Sequence, residues 1–306
     1  MCAGQCRWQR KWPLAAAVGA AADFFDHGSA RLLSESLAQG ESMPGKPWEI
    51  VVGTGPLVAA AVHDGHEVRD EVGSLLALDD AARLREEDPY TAGWAGIVPT
   101  RIIGGRSRFE VDLNRPREKA VYRRPEDAWG LEVWRSPPPQ DLVDRSLAQY
   151  DAFYDDVHRA LETVRAAHGA FVVFDLHTYN HRRDGADRPP ADPSANPAVN
   201  IGTGTMDRVR WGPLVDRFMR DLGQVEVQGR RLDVRENVKF QGGQFSRWIH
   251  ETFPGAGCSM AVEFKKFFMD EWTGEVEAQA HEQIRSALGS TIPGVLQELQ
   301  TIGLTP

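Results

Sequence analysis

The stretch QDLVDRSLAQYDAFYDDVHRALETVRAAHG leads, after a single alanine, into FVVFDLHTYN, and this junction constrains the fold more than any other part of the chain. The first piece carries apolar residues at helical spacing, with prolines before it and a glycine at its end. Those are the boundaries of a long amphipathic helix. The second piece opens with four consecutive apolar residues, Phe171, Val172, Val173 and Phe174. An unbroken run of that kind reads as a strand of a parallel sheet covered on both faces. A helix feeding such a strand is a parallel-sheet crossover, so the chain reads as α/β. The strand then ends in Asp175, Leu176 and His177. Ligands of open α/β sheets sit just outside the carboxyl ends of the strands, where this carboxylate and imidazole would be delivered.

The rest of the chain fits that scheme. WEIVVGTGPLVAAAVHDG gives a strand, a Gly-Pro turn and a second apolar strand, Leu57 to Val62, ending at His63. EVRDEVGSLLALDDAARLREED has helical spacing and high charge, and predicts a surface helix followed by a loop. IVPTRIIGGRSRFEVDLNRP predicts a strand, a Gly-Gly turn and an alternating strand that ends at Asn114, Arg115 and Pro116. After FVVFDLH come a Pro/Asp-rich loop long enough to be functional, a strand in AVNIGTG and an amphipathic helix in WGPLVDRFMRDLG. A last strand in CSMAVEFKKFFMDE ends near Glu263, and a closing helix, or a pair broken at Pro293, follows. Residues 1–45 read as an N-terminal extension and 46–306 as a single α/β domain.

Composition excludes some classes. With 306 residues and 42% hydrophobic content there is ample material for a core. The net charge of -9 argues against a nucleic-acid or anionic-membrane binder, because phosphate contacts need a basic surface. No apolar run approaches a transmembrane length. Three cysteines, Cys2, Cys6 and Cys258, cannot build a disulfide framework. That usage fits a reducing compartment, so a cytoplasmic location is expected. The sequence leaves the oligomeric state open.

Four features carry chemistry. Two strands end in histidine, His63 and His177, and as sheet neighbours they would supply two imidazoles. Two imidazoles plus one carboxylate, with a coordination position left open, make a catalytic zinc site. Asp175 is placed to orient His177 through its second ring nitrogen. The carboxylate would come from Glu67 or from the acidic cluster Glu86, Glu87 and Asp88. His66, His168, His181, His250 and His281 have no strand-end placement and are expected at the surface. In RSRFEVDLNRP, Arg106, Arg108, Asn114 and Arg115 can converge to bind a carboxylate bidentately and to stabilise a developing oxyanion. Glu263 lies in an apolar strand, a setting that suits a general base beside an activated water. The pieces GTGPL, NIGTGTMD and FQGGQF lack the nucleotide-binding glycine patterns and read as tight turns. No nucleophile elbow is present.

In order, AVHDG, REEDPYT, RSRFEVDLNRP, VFDLHTYN, NIGTGTMD, VKFQGGQFSRWI and MAVEFKKFFMDE resemble the N-formylglutamate amidohydrolase family, over roughly Val62 to Glu271. The resemblance implies a mixed, mostly parallel sheet flanked by helices, similar to that of zinc carboxypeptidases (phosphorylase/hydrolase-like). It implies a zinc ion held by His63, His177 and a middle ligand, with Asp88 favoured over Glu87 and Glu67. It implies Glu263 as the catalytic glutamate and Arg108 as the oxyanion partner. Asn114 and Arg115 would grip the substrate carboxylate. The expected activity is hydrolysis of the amide bond of a small N-acyl amino acid. A zinc carboxypeptidase-like peptidase, a cell-wall-fragment amidase and a non-catalytic metabolite-binding relative remain the alternatives.

Overall fold

The computed structural model describes residues 46–302, so the expected extension over 1–45 lies outside the described residues. In chain order the elements are β1 (Trp48–Val51), β2 (Leu57–Ala61), α1 (Asp70–Gly73), α2 (Asp80–Glu86), α3 (Thr91–Ala95) and β3 (Thr100–Gly104). Two short 3-10 turns, Arg117–Lys119 and Pro125–Ala128, precede α4 (Gln140–His168) and β4 (Phe171–Tyr179). There follow β5 (Val199–Gly202), α5 (Arg208–Leu222), β6 (Glu226–Val227), β7 (Arg230–Arg231) and β8 (Val234–Glu236). The chain closes with α6 (Gln244–Thr252), β9 (Gly257–Lys265) and α7 (Ala278–Thr301).

Seven strands form one sheet in the order β1-β3-β2-β4-β9-β5-β8. The inner strands β3, β2, β4 and β9 run parallel, while β1 and β5 pair antiparallel with β3 and β9. This is the mixed, mostly parallel sheet that the family resemblance implies. The α4–β4 junction forms as read from the sequence, with Gly169 closing the helix at φ 76. A left-handed residue there satisfies the last helical carbonyls, and glycine adopts it without a Cβ penalty.

Every residue of β4 is buried, and alternate residues serve opposite faces. Val172, Phe174 and Leu176 pack with Trp94 of α3, Phe218 of α5 and Leu288 of α7. Phe171 and Val173 pack with Phe153 and Val157 of α4 and Phe245 of α6. Each such side chain contributes roughly 1.5–3 kcal/mol on burial. Two apolar layers therefore leave the carboxyl ends of β2, β4 and β9 as the place where polar side chains gather.

Two expectations change, and one open alternative is decided. The helical pattern over 67–88 resolves into two short helices, because Leu76 bridges to Trp134 and the Ala77 amide donates to the Val133 carbonyl at 2.9 Å. Asp79 then restarts the helix by accepting from the Ala82 amide. The alternating FEVDLN segment is not a strand. Its polar positions do not face water: Glu110 is fully buried against Arg69, and Asp112 is buried beneath the cleft described below. Its amides instead close turns, Glu110 onto Ser107 and Asp112 onto Ala120. Pro293, finally, does not break α7. Apolar contacts of Leu288 before it and Val295 and Leu299 after it hold both halves on the core.

Candidate metal centre and active site

His63 follows β2 by two residues and His177 lies near the end of β4, its parallel neighbour. Their rings come within 5.2 Å, centroid to centroid. Asp88 reaches them from the turn after α2. That turn is fixed from several sides. The Asp88 amide donates to the His63 carbonyl at 3.0 Å, and Lys266 Nζ donates to the carbonyls of Arg85 and Glu87 at 2.6 and 2.7 Å. Tyr90 turns the chain with φ 73, and its carbonyl accepts from His281 Nε2 at 2.9 Å.

One donor atom from each of His63, Asp88 and His177 lies within 4.8 Å of the others, and all three residues are buried. Asp88 Oδ2 is 2.9 Å from His177 Nδ1 and 3.4 Å from His63 Nδ1. The opposite ring nitrogens are held by carboxylates. His63 Nε2 donates to Asp112 Oδ1 at 2.7 Å and His177 Nε2 to Asp175 Oδ1 at 2.9 Å. Thr178 Oγ1 donates to the other oxygen of Asp88 at 3.0 Å. His63 Nδ1 is buried with no hydrogen-bond partner. A lone-pair nitrogen left bare in a buried site, facing a carboxylate and a second imidazole, is what a divalent cation would satisfy. The donor set fits a metal ion.

The rivals for the middle position point elsewhere. Glu87 is buried on the far side of the turn, with Oε2 2.5 Å from His66 Nδ1 and Oε1 accepting from Ser107. Glu67 is 80% exposed and pairs loosely with Arg106 at 4.0 Å. Glu86 takes Arg183 at 3.1 Å. Arg106 stays with Glu67 and Glu110, away from the cleft, so it does not join the other residues of its motif.

The remaining expected residues line a cleft of about 400 Å³ over the His/Asp/His group. Glu263 sits on β9 beside His177 of β4 in parallel register. Burial pushes its carboxyl up to about 8; His177 opposes this, and Asp88 and Asp175 reinforce it. Arg108 donates to Asp112 Oδ2 at 2.8 Å and to the Tyr122 hydroxyl at 3.2 Å. Asn114 is oriented by its backbone: its amide donates to Asp112 Oδ1, and its Oδ1 accepts from the Phe245 amide, both at 2.8 Å. Its Nδ2 is thereby turned towards His177. Gly243 must lack a side chain here, since a Cβ would lie 2.3 Å from the Asn114 amide.

Electrostatics follow from crowding. Burial alone would raise Asp88, but its hydrogen bond to His177 and the nearness of the His177 and His63 rings hold it well below the usual carboxylate range. Burial would likewise depress His177, yet Asp175 and Asp88 raise it well above the usual imidazole value. Asp112 is held low against its own burial by Arg108 and His63.

Several residues of the cleft carry no role in the sequence reading. Asp112 is the main one: a single carboxylate ties His63, Arg108, Tyr122 and the Asn114 amide together. Its place two residues before Asn114 was the available signal. Arg183 and Lys239 line the same cleft, and the charge of Arg183 adds to burial in lowering Lys239. The histidines expected at the surface, His66, His168, His181, His250 and His281, are all partly buried. His250 accepts from the Ser259 amide, and His281 holds the Tyr90 carbonyl.

The model of the N-formylglutamate amidohydrolase family matches residues 55–266, more than half of the chain and all of the site. By class the protein is an amidohydrolase. It belongs to the N-formylglutamate amidohydrolase family. No curated protein matches it by sequence. Among solved structures it is similar to the N-formylglutamate amidohydrolase of Ralstonia eutropha JMP134, with TM-score 0.64 and 17% identity over 84% of this chain and 98% of that one. A gene product of Agrobacterium tumefaciens matches at TM-score 0.61 and 18% identity, over 84% and 97%. At these identities the likeness supports the fold. Among the described residues no helix is long and apolar enough to cross a membrane.

Proposed function

We propose that the protein is a zinc-dependent amidohydrolase that cleaves the amide bond of a small, carboxylate-bearing N-acyl amino acid resembling N-formylglutamate. The observation that carries this reading is the buried His63/Asp88/His177 group with Glu263 one strand away and Asn114 and Arg115 on the same cleft. His63 Nδ1, His177 Nδ1 and an Asp88 oxygen would hold the ion. Zinc bound there supplies Lewis acidity, polarising the substrate carbonyl and lowering the pKa of the attacking water from about 15.7 towards about 7.

The chain's own residues do the rest. Asn114 and Arg115 would orient the substrate carboxylate, and with it the scissile amide. Glu263 takes a proton from water as its oxygen bonds to the carbonyl carbon. Arg108, anchored by Asp112 and Tyr122, stabilises the negative charge that develops on the carbonyl oxygen. Glu263 then hands its proton to the leaving nitrogen as the C–N bond breaks. Lys239 brings further positive charge to the cleft, while Arg183 is paired with Glu86; the added charge favours a substrate with a second anionic group. A cleft of about 400 Å³ lies at the small end of ligand sites and disfavours peptides.

The test is formate release from N-formyl-L-glutamate by zinc-loaded protein, with wild type and Glu263→Gln compared. The variant should keep its zinc and lose activity by about 100-fold or more, the scale of a removed general base. A variant as active as wild type would remove Glu263 from the mechanism.

A further inference from the structure

Trp129 stands out on the rim of the cleft. The residue is 46% exposed, yet its backbone holds φ 55 and ψ 26, a left-handed conformation uncommon for a bulky residue. Glycine or asparagine would occupy that position with less strain. What keeps an indole there is what its ring touches. It packs edge-on against the buried Tyr122, with centroids 6.1 Å apart, and Tyr122 in turn donates to Asp112. Two guanidinium groups lie over the ring, Arg108 at 4.8 Å and Arg115 at 5.8 Å from its centroid.

The two arginines differ in what else holds them. Arg108 has close bonds to Asp112 and Tyr122. Arg115 is 37% exposed, and its one ion-pair contact among the described residues is Asp112 at 3.8 Å. A long side chain so loosely tied loses rotamer freedom when it grips a ligand, and a group already held in place loses less. The geometry points to Trp129 as a positioning residue: its indole face holds the Arg115 guanidinium, alongside that of Arg108, ready for the substrate carboxylate. This rests on the reading of Asn114 and Arg115 as the carboxylate grip. An exposed to partly desolvated cation–π contact corresponds to about 2- to 30-fold in affinity.

The test is a binding cycle with glutarate, a dicarboxylate that the enzyme cannot hydrolyse, titrated calorimetrically into zinc-loaded protein. Trp129→Asn tolerates the left-handed backbone and removes the ring; Trp129→Phe keeps an aromatic face. Trp129→Asn should weaken glutarate binding by about 2- to 30-fold, and Trp129→Phe should recover most of the loss. In an Arg115→Ala background, Trp129→Asn should change binding by no more than about twofold, since the partner it positions is gone. A merely structural role would carry its full weakening into that background. That result, or Trp129→Asn binding as tightly as wild type, overturns the inference, and a wild type with no affinity for glutarate overturns it together with the carboxylate grip. Turnover is read separately: a wild type that binds glutarate but never hydrolyses N-formyl-L-glutamate counts against the proposed function, and the binding cycle still decides Trp129.

Discussion

Asp112 Oδ1 lies 2.7 Å from Nε2 of His63, and this contact leaves the other ring nitrogen, Nδ1, facing Asp88 and His177. The tautomer of His63 is thus set from behind. Asp175 does the same for His177, and Ser246 donates to the free oxygen of Asp175 at 2.8 Å. A carboxylate behind each imidazole fixes ring orientation and raises its basicity as a ligand.

Asp112→Asn should therefore weaken zinc binding about 10- to 100-fold, the usual cost of losing such a support. Competition against a chelator of known affinity measures it. Unchanged affinity would mean that the ring is oriented by packing alone.

Metal binding should also be coupled to protons. Without a metal His177 titrates well above the usual imidazole value, so at pH 7 it carries a proton that the ion must displace. Asp88 is held ionised far below that pH and contributes none. Glu263, raised to about 8, adds up to one more as a cation arrives nearby. Between about one and two protons should leave per zinc at pH 7, and about one in Glu263→Gln. Affinity then falls as pH falls below the raised His177 value. Calorimetry in buffers of different ionisation heat reads the number, and no release at all would contradict the assignment.

Much of this was legible in the sequence, for identifiable reasons. The unbroken run Phe171–Phe174 and the helix before it specify a covered parallel strand because burial on both faces leaves no polar positions. His63 and His177 were legible as strand ends. The FEVDLN segment misled because alternation was taken to mean one wet face. Glu110 and Asp112 break that rule: both carboxylates are buried, with Arg69 on one and His63 and Arg108 on the other. The position of Asp88 relative to Glu87 was beyond sequence spacing. It depends on Lys266 and His281, remote in the chain, which set the turn that aims one carboxylate inward and the other at His66.

Gly243 makes a steric prediction. A Cβ there would meet the Asn114 side chain at 2.3 Å, so Gly243→Ala should push that amide out of place. KM for N-formyl-L-glutamate should rise about 10- to 100-fold, the scale of a lost hydrogen bond to a charged group, with zinc content unchanged. Steady-state kinetics beside elemental analysis separates the two effects. An unchanged KM would take Asn114 out of substrate binding.

The proposed function stands on a metal ion held at the ends of β2 and β4 with Asp88. Elemental analysis of wild type and His177→Ala, each supplied with zinc and then freed of excess, tests it most directly. About one zinc per wild-type chain is expected, and its loss in the variant. Zinc retained in full by His177→Ala, or none taken up by the wild type, would contradict it.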